Sequence, residues 1–159
     1  MLYLDTSALI KQYVREGGSE RMRERVQEEL GGSRPVFTSV LTFAEVHSAL
    51  AQRRSDKSLS KRGFLNCRQN FEADWLSSLS PIILDASVLV FIRDILERHL
   101  LKGADAVHLA SALWLRDMTR VGTKRLHPGE LIVFASSDRQ LTSSAQEYNF
   151  EIFDPATAK

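Results

Sequence analysis

The sequence predicts a three-layer α/β fold built on a parallel sheet, and three observations carry that reading. Short apolar runs at residues 1–4, 82–84 and 131–135 show no polar alternation, the pattern of strands covered on both faces. Between them lie segments with apolar residues at helical spacing, such as Val40, Phe43, Val46, Ala49 and Leu50, or Val88, Leu89, Ile92, Ile95 and Leu96. Acids follow the runs, at Asp5, Asp85 and Asp138. Right-handed crossovers bring the strand ends to one edge of such a sheet, where its ligands bind.

In chain order, residues 1–4 form a buried strand that stops at Asp5, and a helix follows over residues 7–15. Gly17 and Gly18 break it, and Ser19 caps a charged helix over residues 20–30. The cluster Gly31-Gly32-Ser33-Arg34-Pro35 turns the chain into a strand at residues 36–38. Ser39 caps a helix running to Arg54, and a polar hinge at residues 55–60 leads into a helix over 61–79. These two helices form an antiparallel, protruding hairpin. Pro81 opens the strand 82–84, and a helix with its stripe from Val88 to Leu96 ends before Lys102 and Gly103. Another starts near Asp105 and carries Val107, Leu109, Ala110, Leu113 and Trp114. Residues 116–130, with Gly122, Pro128 and Gly129, read as a loop. The strand 131–135, a short helix to Tyr148 and a last strand at 151–153 complete one domain over 1–155, with 156–159 as a tail.

The 159 residues, 43% of them hydrophobic, suffice to bury a core without disulfides. One cysteine, Cys67, excludes a disulfide framework and a multi-thiolate zinc site. The start MLYLDTSALIKQ contains no secretory apolar core, and no run nears the ~20 residues of a membrane span. A cytoplasmic protein is the expectation. The net charge of +1 gives a polyanion partner no bulk support.

Four carboxylates stand out: Asp5 in LDTSAL, Glu45 in TFAEV, Asp105 in GADAVHLASA and Asp138 in SSDRQL. Taken singly, each has a structural explanation. Asp105 and Asp138 stand at N-cap positions, Thr42-x-x-Glu45 matches a capping box, and Asp5 ends a strand. Gathered at one low-dielectric edge, however, several ionised carboxylates need protons or a cation to offset their repulsion. The cation suited to oxygen ligands, with one or two carboxylates and several waters, is Mg²⁺ or Mn²⁺.

At these four places the sequence resembles the PIN-domain metal-dependent ribonucleases, most closely the VapC-type toxins of toxin–antitoxin pairs. The likeness runs through LDTSALIKQY, TSVLTFAEVHSAL, GADAVHLASAL and ASSDRQLTSSAQEYNFEIFDP. It implies a sheet of order 3-2-1-4-5 and a catalytic quartet of Asp5, Glu45, Asp105 and Asp138. Ser7 and Ser136 fall on the family's accessory hydroxyl positions. Asp5 with Asp105 or Asp138 would hold the metal, Glu45 would ligate it through water or orient the attacking water, and cleavage would leave 5′-phosphate and 3′-hydroxyl ends. The resemblance also implies a homodimer inhibited by an antitoxin, with the hairpin at residues 40–79 as its clamp. Two departures are Asn149, where many relatives carry Gly, and a long loop at residues 118–129.

Related chemistries fit less well. A haloacid-dehalogenase phosphatase needs an Asp where Ser7 stands, and a nucleotide binder needs glycines after the first strand. The four histidines lack zinc-ligand spacing, and His108, three residues after Asp105, reads as a hydrogen-bonded structural histidine. An RNA substrate needs positive charge near the acids. The candidates are Arg53, Arg54, Lys57, Lys61 and Arg62 around the hairpin, and Arg116, Arg120, Lys124 and Arg125 in the long loop. Setting the quartet aside, the remaining chain carries five more bases than acids. Two alternative readings stay open: a catalytically silent PIN-like module that binds RNA or protein, and a housekeeping RNA-processing nuclease.

Overall fold

The computed structural model describes residues 1–121 and 130–157. Five strands, β1 (Leu2–Leu4), β2 (Val36–Ser39), β3 (Leu79–Ile82), β4 (Val133–Ala135) and β5 (Glu151–Phe153), form one sheet of order β3-β2-β1-β4-β5. All four pairings are parallel, with Leu2 opposite both Val36 and Val133. This is the order that the resemblance implied.

The non-alternating runs have a simple basis: each face of the sheet has its own core. Leu2 and Leu4 point with Val36, Val133 and Ala135 into one cluster, completed by Met22 of α2 (Ser19–Gly31), Val46 and Leu50 of α3 (Leu41–Ser55) and Phe71 of α4 (Lys61–Ser77). Tyr3 and Phe134 point the other way. They join Ile95 of α5 (Ala86–Arg98), Leu109 and Ala110 of α6 (Gly103–Val121), and Leu141 of α7 (Arg139–Glu147). The alanines of α6 allow close approach to the sheet, and Ala106, Ala110 and Ala112 are wholly buried. Helices α3 and α4 form the expected hairpin, whose base is glued by Phe43, His47, Phe71 and Trp75, with ring centroids 4.6–5.7 Å apart. Phe64 and Trp75 pack against the same core.

Four local expectations need correction. The helix expected over 7–15 is a single turn, α1 (Thr6–Leu9), followed by a 3₁₀ turn at Ile10–Gln12. Tertiary bonds pull the chain out of the helix: Ser19 Oγ donates to the Val14 carbonyl and accepts from the Glu16 N–H, while Lys11 Nζ bridges Glu16 and the Gly17 carbonyl. Ser19 is thereby spent on this loop, and the N-cap of α2 is Gly18, at φ 85°. The third strand lies three residues earlier than expected, because pairing of Leu79 with Val36 sets the register. Pro81 is tolerated since β3 is an edge strand, and Ile83 and Leu84 fall outside it, exposed. Finally, α6 continues through Arg116 to Val121, because nothing between Leu115 and Val121 breaks a helix. Asp105 thus lies inside its first turn rather than at the N-cap. Of the loop expected at 118–129, residues 122–129 lie outside the described residues. Asn149 adopts a left-handed conformation, φ 62°, which its side chain tolerates.

Candidate active site

The site begins where β1 ends. Asp5 is the N-cap of α1: its carboxylate accepts from the Ala8 N–H at 2.8 Å. It also accepts from Ser7 Oγ, 2.9 Å from each oxygen, and from Ser136 Oγ at 2.7 Å. Only 4% of Asp5 is exposed. Burial pushes its carboxyl above the usual range, and the His108 charge, Ser136, the Ala8 N–H and Ser7 only partly offset this. Such a group is held in place by far more bonds than a cap requires.

Ser136 follows β4, the strand beside β1, and its hydroxyl has a second partner: it accepts the Asp138 N–H at 3.0 Å. Asp138 then caps α7 through the Leu141 N–H. Ser7 Oγ accepts the Ser137 N–H at 2.9 Å and lies 3.4 Å from Ser136 Oγ. Two serines thus stitch the ends of two neighbouring strands around two acids. Both hydroxyls, Ser7 and Ser136, stand beside Asp5.

Glu45 comes to the same edge from α3. The expected capping box does not form, because Thr42 Oγ1 is 2.7 Å from Thr38 Oγ1 while Glu45 turns to Thr6 and His108. Thr6 Oγ1 donates to Glu45 Oε2 at 2.5 Å, and His108 Nε2 lies 2.8 Å from the same oxygen. Burial alone would raise Glu45, but these two bonds and the His108 charge outweigh it and hold the carboxyl below its usual range. Asp105, one turn before His108 on α6, behaves oppositely. Burial and then the Asp138 charge raise its carboxyl, with Glu45 adding to the repulsion and His108 and Lys102 relieving it. Asp105, Asp138, Glu45 and His108 therefore share one electrostatic neighbourhood.

Among the described residues no three His, Cys, Asp or Glu side chains stand as a ready-made ligand set. Mg²⁺ does not require one, since it binds through one or two carboxylates and retains waters. The donors here are all oxygen, and the repulsion felt by Asp105 is what a hard cation relieves.

The basic candidates are placed elsewhere. Arg53 pairs with Glu16 at 2.9 Å, and the Arg54 guanidinium sits 5.1 Å over Phe64; both lie about 12 Å along α3 from Glu45. Lys57, Lys61 and Arg62 are exposed at the hairpin tip. Arg116 and Arg120 lie on helix α6, not in a loop, roughly 16–22 Å along it from Asp105. There Arg116 donates to the Tyr148 carbonyl and stacks 5.0 Å over Phe150, while Arg120 lies 3.7 Å from Asp117. Lys124 and Arg125 lie outside the described residues. Two residues at the site were not singled out from the sequence as functional. Thr6 adjoins Asp5, and His108 shares a helix face with Asp105, which was the available signal. His108 is buried and hydrogen-bonded as expected, but its partner is a site carboxylate.

A parallel 3-2-1-4-5 sheet with carboxylates gathered from β1, α3, α6 and the β4–α7 turn defines an α/β protein of the PIN-domain type. The family model described as "PIN domain" matches residues 2–127, and the chain belongs to that family. Its relatives narrow this to the VapC-type members. Over 132 residues the chain is 32% identical to ribonucleases VapC45 and VapC49, each from a strain of Mycobacterium tuberculosis, covering 81% of this chain and 88% of either relative. Among solved structures, FitAcB from Neisseria gonorrhoeae superposes with a TM-score of 0.68 at 16% identity, covering 99% of this chain and all of that one. VapBC2 from Rickettsia felis, bound to a promoter DNA fragment, gives 0.62 at 13% identity, covering 96% of this chain and 98% of that one. At such identities the structures speak for the fold alone. No helix among the described residues is long and apolar enough to cross a membrane.

Proposed function

We propose that this chain is a divalent-cation-dependent endoribonuclease, the toxin of a toxin–antitoxin pair. The observation that carries the reading is Asp5, a carboxylate buried at the sheet edge and fixed by Ser7, Ser136 and the Ala8 N–H, with Asp138 tethered through the same Ser136. Optimising stability alone would not bury such a carboxylate, nor keep Asp105 within reach of the repelling Asp138 and Glu45 charges. The ribonuclease names of its VapC relatives supply the substrate class.

Asp5, Asp105 and Asp138 would hold Mg²⁺ or Mn²⁺. When bound, the cation offsets the charge that gathers on the phosphate and makes a water nucleophilic at neutral pH. The chain's own residues do the rest. Ser7 and Ser136 keep Asp5 from rotating, so its free lone pairs face a fixed direction. At Glu45 both bonds fall on Oε2, which leaves Oε1 to orient the attacking water or to reach the metal through a water. A depressed carboxyl stays ionised for that role.

Residues 1–155 act as the single catalytic domain, with 156–159 as a tail. The substrate is a single-stranded or looped RNA that offers splayed phosphates; the bases proposed to meet its backbone, away from the acids, are Arg53, Arg54, Arg116 and Arg120, with Lys124 and Arg125 outside the described residues. A cognate antitoxin clamps over α3 and α4, and the toxin works in the cytoplasm as a homodimer.

The test is RNA cleavage with Mg²⁺, Mn²⁺ or chelator by the parent, Asp5→Asn and Asp105→Asn, with RNA ends sequenced after brief expression. Cation-dependent cutting by the parent and none by folded variants is the expected result; variants that cut at the parent's rate refute the assigned site. No heat on titrating Mn²⁺ to millimolar concentration would instead mark a silent binding module. Absence of toxicity on expression would point to a housekeeping nuclease.

A further inference from the structure

His108 is almost wholly buried, with one ring nitrogen on Glu45 and Thr6 and the other on Tyr3. Its Nδ1 lies 3.1 Å from the Tyr3 hydroxyl, and its Nε2 lies 2.8 Å from Glu45 Oε2 and 3.3 Å from Thr6 Oγ1. An ionised carboxylate only accepts, so Nε2 carries a proton and donates to Glu45; in the neutral ring Nδ1 then accepts from the Tyr3 phenol. Thr6 donates its own proton to the same Oε2. Two donors from two different elements therefore pin one oxygen of a side chain that is 27% exposed at the sheet edge.

The support behind the imidazole is rigid. Tyr3 lies within β1, fully buried, stacked on Phe134 at 5.3 Å between centroids and edge-on to His108. Burying a phenol, an imidazole and a hydroxyl in a core costs more than burying apolar groups of equal volume. What the cluster delivers in return is the orientation of Glu45.

Resting on the nuclease reading above, we propose that His108, its tautomer fixed by Tyr3, is a positioning residue that clamps the Glu45 carboxylate in the orientation the reaction uses. The pair sits as an outer layer to the carboxylates, where removal of such a partner typically costs 10–100-fold in activity.

The experiment compares RNA cleavage by the parent, His108→Leu, His108→Asn and His108→Gln, each alone and in a Glu45→Gln background. Gln carries its amide nitrogen close to the place of Nε2, whereas the amide of Asn reaches only that of Nδ1. The expected result is a fall in kcat of about 10–100-fold for Leu and Asn with KM changed less than about twofold, recovery for Gln, and no further loss in the Glu45→Gln background. Long-range proton–nitrogen NMR of the parent should show the ring protonated on Nε2. An unchanged kcat in His108→Leu, an equal loss in both backgrounds, or an Nδ1-protonated ring each overturns the proposal. A parent that cuts no RNA refutes the nuclease reading and the catalytic role with it, while the ring tautomer still decides whether His108 clamps Glu45.

Discussion

Replacing Ser136 with alanine tests the physical core of the site without relying on activity. The substitution removes the 2.7 Å hydrogen bond to Asp5 and strips the Asp138 N–H of its acceptor, at a position with no solvent exposure. A hydrogen bond to a charged group contributes about 1.5–3 kcal/mol and an orphaned donor costs about 1 kcal/mol, so the loss should be about 2–4 kcal/mol. For a chain of this length that is a fall in Tm of about 5–15 °C. Because Ser136 helps to hold the Asp5 carboxyl down, its removal pushes that carboxyl higher still. The deficit therefore grows as pH rises through the raised range of Asp5 and shrinks as acid protonates it. The assay is urea and thermal unfolding of the parent, Ser136→Ala, Asp5→Asn and the double variant. The two substitutions should couple by about 1–2 kcal/mol, since an uncharged acceptor gains less from the serine. Additivity within about 0.5 kcal/mol, or a single-variant loss below that value, would refute the claim that Ser136 supports a buried carboxylate.

Asp105 offers a second test. Its raised carboxyl means that the folded state binds more protons than the unfolded chain between the ordinary aspartate range and the raised value, so its contribution to stability falls as pH rises through that window. Urea midpoints measured from pH 4 to 7 should show the parent gaining on Asp105→Asn as pH falls; parallel profiles would contradict the assigned repulsion. At Gly18 a Cβ would stand 2.3 Å from the Pro155 carbonyl oxygen and would need φ of 85°. Gly18→Ala should therefore lose more than about 1 kcal/mol in denaturant unfolding, and a neutral result would mean the chain end is not packed on α2 as seen.

While the sheet order came from the family resemblance, the α/β class, the helical hairpin and the positions of Asp5 and Asp138 just after strands were legible in the residues themselves. Their signals are local: an apolar run that halts at an acid, a stripe at helical spacing, a motif within a few residues. Asp138 even keeps its local role, capping α7 while serving the site. The misread places were polar side chains with more than one partner in reach, some a few residues away and, for Glu45, 39 and 63 positions away. Ser19 looked like a cap but serves Val14 and Glu16, and Thr42 and Glu45 looked like a capping box but bond to Thr38, Thr6 and His108.

The same division separates the acids from what tunes them. Sequence alone determined that Asp5 and Asp138 follow strands on one edge, because apolar periodicity dictates which residues are buried and right-handed crossovers dictate which edge the ends share; bringing Glu45 and Asp105 there was implied only by the family resemblance. Only the tertiary structure decided their chemical character. Ser136 and Asp5 are 131 positions apart, and His108 and Glu45 are 63 apart, so no local pattern records the bonds. Whether a carboxyl is raised or lowered depends on burial and on donors brought within about 3 Å, and those distances exist only after the chain has packed.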